Sequence, residues 1–98
     1  MQLSPRAFST GIEDDSMIDP NNSQLSLQPG DIAIVEPERE PRPGSIVLAR
    51  CGESVFVRKL CTLSGNTATL LPLNPAYAAQ NVPLEHVLGV VAGFYRRL

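Results

Sequence analysis

Ser16 stands in E-D-D-S-M-I-D-P (residues 13–20), behind three consecutive carboxylates and ahead of a methionine. A serine hydroxyl is a weak nucleophile at neutral pH and needs a base beside it. The usual base is histidine, oriented by a carboxylate. The chain has one histidine, His86, at the head of an apolar run where a strand-edge position accounts for it, and no G-x-S-x-G elbow surrounds Ser16. The remaining base is lysine, and the chain has one, Lys59, inside V-F-V-R-K-L-C (55–61). Burial disfavours an ammonium and lowers its pKa, so a lysine in so apolar a strand is a candidate base near neutral pH. The residues therefore offer a Ser16–Lys59 dyad. The alternative is a serine that serves its turn, with Met17 packed in the core.

The rest of the composition narrows the chemistry. One histidine and two cysteines, Cys51 and Cys61, without C-x-x-C spacing make a poor metal site, and no metal or cofactor is expected. About seven strand rungs separate the cysteines across a hairpin, or over ~20 Å, too far for a disulfide. Both are expected to be small buried hydrophobes in a reducing compartment. A net charge of -2 lacks the basic stripe of a nucleic-acid binder, and Arg96-Arg97 reads as solvated surface. No apolar run approaches the ~20 residues that span a bilayer, and M-Q-L-S-P-R carries no export signal. A cytoplasmic protein with no membrane partner is expected.

The elements that must position Ser16 are strands. Nine prolines and seven glycines in 98 residues punctuate the chain at the rhythm of an all-β domain, and no window holds a helical period beyond about two turns. Strands are expected at Ala7 to Glu13, Asp31 to Glu36, Ser45 to Arg50, Val55 to Cys61, Thr67 to Leu73 and from Val87 toward the end. Cys51-Gly52-Glu53-Ser54 and Ser64-Gly65-Asn66 read as hairpin turns. Asp14 to Gly30 and Asn74 to Pro83 read as irregular segments, and P-E-R-E-P-R-P-G (37–44) as a connection, since its prolines exclude a central strand. The two glycines of V-L-G-V-V-A-G-F-Y suggest bulges or close backbone approach.

Six short pieces occur in one order: D-S-M (15–17), P-G-D (29–31), P-G-S-I-V-L-A-R (43–50), V-R-K-L (57–60), P-L-N-P-A-Y (72–77) and L-G-V-V (88–91). Together they resemble the C-terminal peptidase domain of LexA and the lambda-type phage repressors, most nearly the phage branch, from about Ala7 to the end. The resemblance implies a compact, mostly β, LexA/signal-peptidase-like domain with hairpins and little helix, filling residues 1–98 as a single domain that dimerises. It implies a Ser-Lys dyad that cuts the protein's own linker when stimulated by a RecA-DNA filament, with Ser16 as nucleophile and nearby backbone N–H groups stabilising the oxyanion. It also implies that DNA is bound only through an N-terminal helix-turn-helix domain, which, with the cleavage linker and its scissile Ala-Gly or Cys-Gly bond, is expected to be absent from this chain.

Two departures from that pattern bear on the chemistry. In the family the lysine is the first basic residue of its strand, and here that position holds Arg58, with Lys59 one residue later. Strand side chains alternate faces, so the shift sends Lys59 to the opposite side unless a bulge restores it. Arginine is no substitute, because its guanidinium does not lose a proton in proteins. Asp14 stands where the family usually has glycine, and with Asp15 it places negative charge where an oxyanion must form and a lysine must be neutral. The expectation is a retained fold whose cutting is weak or lost: a C-terminal dimerisation domain of a phage-type repressor, pairing across a two-fold axis through Val87 to Tyr95. The alternative readings are a UmuD-like self-processing subunit, which needs an N-terminal arm longer than the six residues before the first strand, and a signal peptidase, which needs a membrane anchor.

Overall fold

Two glycines set the register of the central sheet. Gly52 and Gly65 each take the first place of a two-residue hairpin loop with φ of 62° and 59°, while no non-glycine residue has positive φ among the described residues. That is the type II′ pattern, whose twist matches the flanking strands. Gly52-Glu53 joins β3 (Ile46–Cys51) to β4 (Ser54–Ser64), and Gly65-Asn66 joins β4 to β5 (Thr67–Leu71). The computed structural model describes residues 5–20 and 27–96. The middle of the expected irregular segment (21–26) and the end of the expected last strand (97–98) lie outside the described residues.

The remaining strands are β1 (Phe8–Gly11), β2 (Ile32–Glu36), β6 (Gln80–Pro83) and β7 (Val87–Tyr95), with a 3₁₀ turn at Leu84–His86 carrying His86. They form one seven-stranded sheet in the order β1-β2-β7-β3-β4-β5-β6, antiparallel at every pairing. The fold is nearly all β, as the punctuation and the resemblance imply. β6 is a departure: it falls inside the segment expected to be loop. A-Y-A-A-Q-N-V-P offers little β-branched signal, and Pro83 is tolerated because β6 is an edge strand.

The sheet buries both of its faces. Leu48 joins Met17, Val35 and Val57 in one apolar cluster, while its neighbours Val47 and Ala49 join Leu60, Leu70 and Val90 in another. Residues adjacent in a strand point to opposite faces, which is why I-V-L-A reads as a continuous apolar run. Met17 is 2% exposed, so the residue after Ser16 anchors its turn in the core.

Both β7 glycines border irregular pairing. The β3–β7 ladder passes from Gly89 to Val87, leaving out Leu88, and the β2–β7 ladder passes from Gly93 to Val91, leaving out Ala92. At Gly89 the close approach is acute. A Cβ there would lie 2.5 Å from Val35 Cγ1 and 3.1 Å from both Glu36 O and Pro37 Cα.

The cysteines correct the sequence reading. Both are free and exposed, because Cys51 ends β3 at a loop and Cys61 sits where the β4–β5 register skips from Leu60 to Thr62. Both thiols are therefore expected to react with a disulfide reagent in the native protein, at two equivalents per chain. Reaction that waits for denaturant would contradict this placement.

Candidate functional site

Ser16 is buried at 0% exposure, in the turn that follows β1. Its backbone carbonyl accepts the N–H groups of Leu73 and Asn74, both at 2.9 Å. The preceding residue is tied to the same segment: Asp15 O accepts Asn74 Nδ2 at 3.2 Å, and Asp15 Oδ1 accepts the Tyr77 hydroxyl at 2.7 Å. That hydrogen bond to a carboxylate raises the Tyr77 pKa. P-L-N-P-A-Y therefore positions the serine turn through its backbone, one amide and one phenol.

Asp14 shapes the turn from inside. Its Oδ1 accepts the Ser16 backbone N–H at 3.0 Å, an Asx turn in which the side chain closes the bend a glycine would otherwise make. The same oxygen accepts the Ser16 hydroxyl proton at 2.6 Å.

The other neighbour of Ser16 is Arg58, whose Nη1 donates to Ser16 Oγ at 2.5 Å and to Val57 O at 2.9 Å. Arg58 is 5% exposed. Its Nη2 lies 4.0 Å from Asp14 Oδ2, and its guanidinium lies 4.6 Å from the Phe56 ring centre and 5.5 Å from that of Tyr77. Aromatic faces and a carboxylate offset the cost of desolvating a cation. Nε remains buried without a hydrogen-bond partner. Burial lowers the Arg58 pKa, with Asp14 opposing it, yet a guanidinium stays protonated at physiological pH.

Lys59 is exposed and pairs with Ile46 and Leu71. The β3–β4 ladder runs without interruption from Cys51–Ser54 to Ile46–Lys59. The bulge in β4 falls after Lys59, between Leu60 and Thr62, so nothing in the hairpin turns Lys59 back toward the serine. Of the three candidate residues the structure thus brings Ser16 and Arg58 together and leaves Lys59 outside.

A cavity of about 120 Å³ opens beside Ser16, lined in part by Thr10, Glu13, Asp14, Leu48 and Val57. Sequence reasoning missed the roles of Phe56 and Tyr77. The signal for Phe56 was its i, i+2 spacing from Arg58, which places both on one face of β4.

The chain belongs to the Peptidase S24-like family, whose pattern matches residues 2–92. It is 36% identical over 87 residues to a LexA repressor of Alcanivorax borkumensis, an alignment covering 87% of this chain and 40% of that protein. It is 37% identical over 78 residues to repressor protein C2 of Salmonella phage P22, covering 79% of this chain and 35% of that one. An HTH-type transcriptional regulator for conjugative element R391 from Providencia rettgeri is 33% identical over 88 residues, covering 86% of this chain and 40% of that protein. The chain thus spans less than half the length of these relatives. Among the described residues no helix is long and apolar enough to cross a membrane.

Proposed function

We propose that the chain is the C-terminal association domain of a phage-type transcriptional repressor in which linker self-cleavage is lost. The carrying observation is the 2.5 Å contact from Arg58 Nη1 to Ser16 Oγ. A general base must accept the serine proton. The basic residue against the serine is a permanent cation and a donor, and the acceptor the hydroxyl does have, the Asp14 carboxylate, belongs to a class of base several pKa units weaker than a neutral amine or imidazole. Lys59, the base the alternative requires, faces away. Ser16, Arg58 and Asp14 then act as a structural joint that ties the first turn to β4. Operator contact belongs to an N-terminal helix-turn-helix domain, the setting is the cytoplasm, and induction comes by a route other than cleavage stimulated by a RecA filament.

Dimerisation through β7 is supported by its unequal edges. β2 pairs with β7 out to Tyr95, whereas β3 pairs only from Val87 to Val90. Val91 to Tyr95 therefore present an edge that no described strand covers, flanked by Phe94 and Tyr95 at 42% and 53% exposure. Two such edges pair antiparallel about a two-fold axis.

A fluorophosphonate that traps activated serines tests the catalytic half of this reading. No adduct at Ser16 is expected at pH 7 to 10 under conditions that label a cleaving relative; stoichiometric labelling would overturn it. Sedimentation equilibrium tests the other half. A dimer is expected at micromolar concentration, and Tyr95→Glu should weaken it at least ~10-fold, about 1.4 kcal/mol.

A further inference from the structure

Asp14 holds two groups that acyl transfer at Ser16 would need. Its Oδ1 takes the hydroxyl proton at 2.6 Å and the Ser16 backbone N–H at 3.0 Å. That N–H belongs to the nucleophile's own residue, a backbone donor of the kind that can serve an oxyanion. The hydroxyl oxygen has one proton and two lone pairs: the proton points at Asp14, and one lone pair is occupied by Arg58 Nη1. Asp14 Oδ2 in turn faces Arg58 Nη2 at 4.0 Å.

We propose that Asp14 and Arg58 form a two-part lock on Ser16, in which Asp14 is a positioning residue that silences the serine independently of Arg58. This rests on the reading that the domain does not cleave. It goes further by making Asp14 a second determinant, so that a lysine at position 58 alone does not restore a working base.

The lock is electrostatic as well as geometric. An ammonium at position 58 would share its surroundings with the Asp14 carboxylate, whose Oδ2 lies 4.0 Å from Arg58 Nη2, and a carboxylate so near favours the charged form by about 1–3 pKa units. The other titratable groups facing it are Tyr77, whose ring lies over the Arg58 guanidinium, Asp15, bonded to the Tyr77 hydroxyl, and Glu13, which lines the adjoining cavity. The carboxylates oppose deprotonation, and Asp14 is the one in direct contact with Ser16. Replacing it by glycine frees both the hydroxyl and the N–H. Replacing it by asparagine removes the charge and keeps an acceptor for the N–H.

The test joins the full chain in cis to a segment bearing the family's Ala-Gly bond and follows first-order cutting from pH 7 to 10. Native chain, Arg58→Lys, Asp14→Asn/Arg58→Lys and Asp14→Gly/Arg58→Lys are compared, each shown to be folded by its thermal transition. The native chain is expected to stay intact; its cutting would defeat the underlying reading and the lock with it, whereas the comparisons among the variants test the lock alone. Asp14→Gly/Arg58→Lys is expected to cut at least ~100-fold faster than Arg58→Lys, since one oxyanion donor is worth about 10²–10³ in rate. Asp14→Asn/Arg58→Lys should fall between them, with a pH midpoint at least ~1 unit below that of Arg58→Lys. If Arg58→Lys cuts as fast as the double variants with the same midpoint, or if folded double variants do not cut, the lock is overturned. NMR titration of the introduced lysine separates the same outcomes without turnover: a lower pKa without Asp14 is expected, and equal values with and without it would overturn the lock.

Discussion

Gly89→Ala is expected to destabilise the domain by about 3 kcal/mol, the upper part of the range for overpacking a core. The added methyl would lie 2.5 Å from Val35 Cγ1 and 3.1 Å from two backbone atoms, Glu36 O and Pro37 Cα. Val35 is fully buried and β-branched, so its χ1 has no room to swing aside. Relief requires β2 and β7 to separate, at the bulge where β7 also meets β3. For a domain of this size, about 3 kcal/mol lowers the thermal midpoint by about 12–24 °C. Gly11→Ala is the control: a Cβ there meets nothing within 4 Å, and about 1 kcal/mol or less is expected. Equal melting temperatures for the two variants would show that the close approach at Gly89 does not exist.

Arg96→Ala is expected to destabilise the domain near neutral pH, because it strips the buried Asp31 carboxylate of its partner, with the exposure of Arg96 to solvent moderating the loss. Asp31 is 1% exposed and accepts Arg96 Nε at 2.7 Å, Arg96 Nη2 at 2.9 Å and the Gln28 backbone N–H at 2.8 Å. This bidentate pair ties the segment before β2 to the end of β7. The hydrogen bond from Arg96 is the main cause that holds the Asp31 carboxyl below its ordinary value, while burial pushes the other way. A folded pKa below the unfolded one gives stability that is present above the unfolded value of about 3.9 and is lost as pH falls through the folded value. Without Arg96, burial and the remaining Gln28 N–H act on the carboxyl in opposite directions, so the variant loses the main cause of this pH-dependent stability. The deficit of Arg96→Ala is therefore largest at pH 7 and shrinks below about pH 4. Urea unfolding at pH 7 and pH 3 measures it. A deficit that is constant across that range would show that the ion pair does not stabilise the fold.

How far the sequence anticipated these features depends on what each rests on. Strands bounded by Gly52 and Gly65 were legible because turn chemistry and alternation agreed. β6 was not, because its residues carry neither strong β propensity nor alternation, and an edge strand needs only one partner. Glycine pointed to the irregularities in β7, whereas the β4 bulge at Cys61 has no glycine to announce it, and the burial expected of both cysteines failed at that bulge and at a hairpin end. Strand parity set Arg58 and Lys59 on opposite faces, and only the resemblance, which puts Arg58 at the family's lysine position, indicated which of them faces Ser16. The charge of Asp14 was readable, but not that one carboxylate oxygen would take both the N–H and the O–H of Ser16. That depends on the backbone path of the turn, which Leu73 and Asn74 fix from a segment more than fifty residues away.

The proposed loss of cleavage rests on a cation without a removable proton sitting against the serine. The most direct measurement is self-cleavage of the native chain joined in cis to its family's Ala-Gly segment, followed for a day across pH 7 to 10. One intact band is predicted throughout, with Ser16→Ala indistinguishable from the native chain. Two fragments that appear at a concentration-independent rate, and vanish in Ser16→Ala, would contradict it.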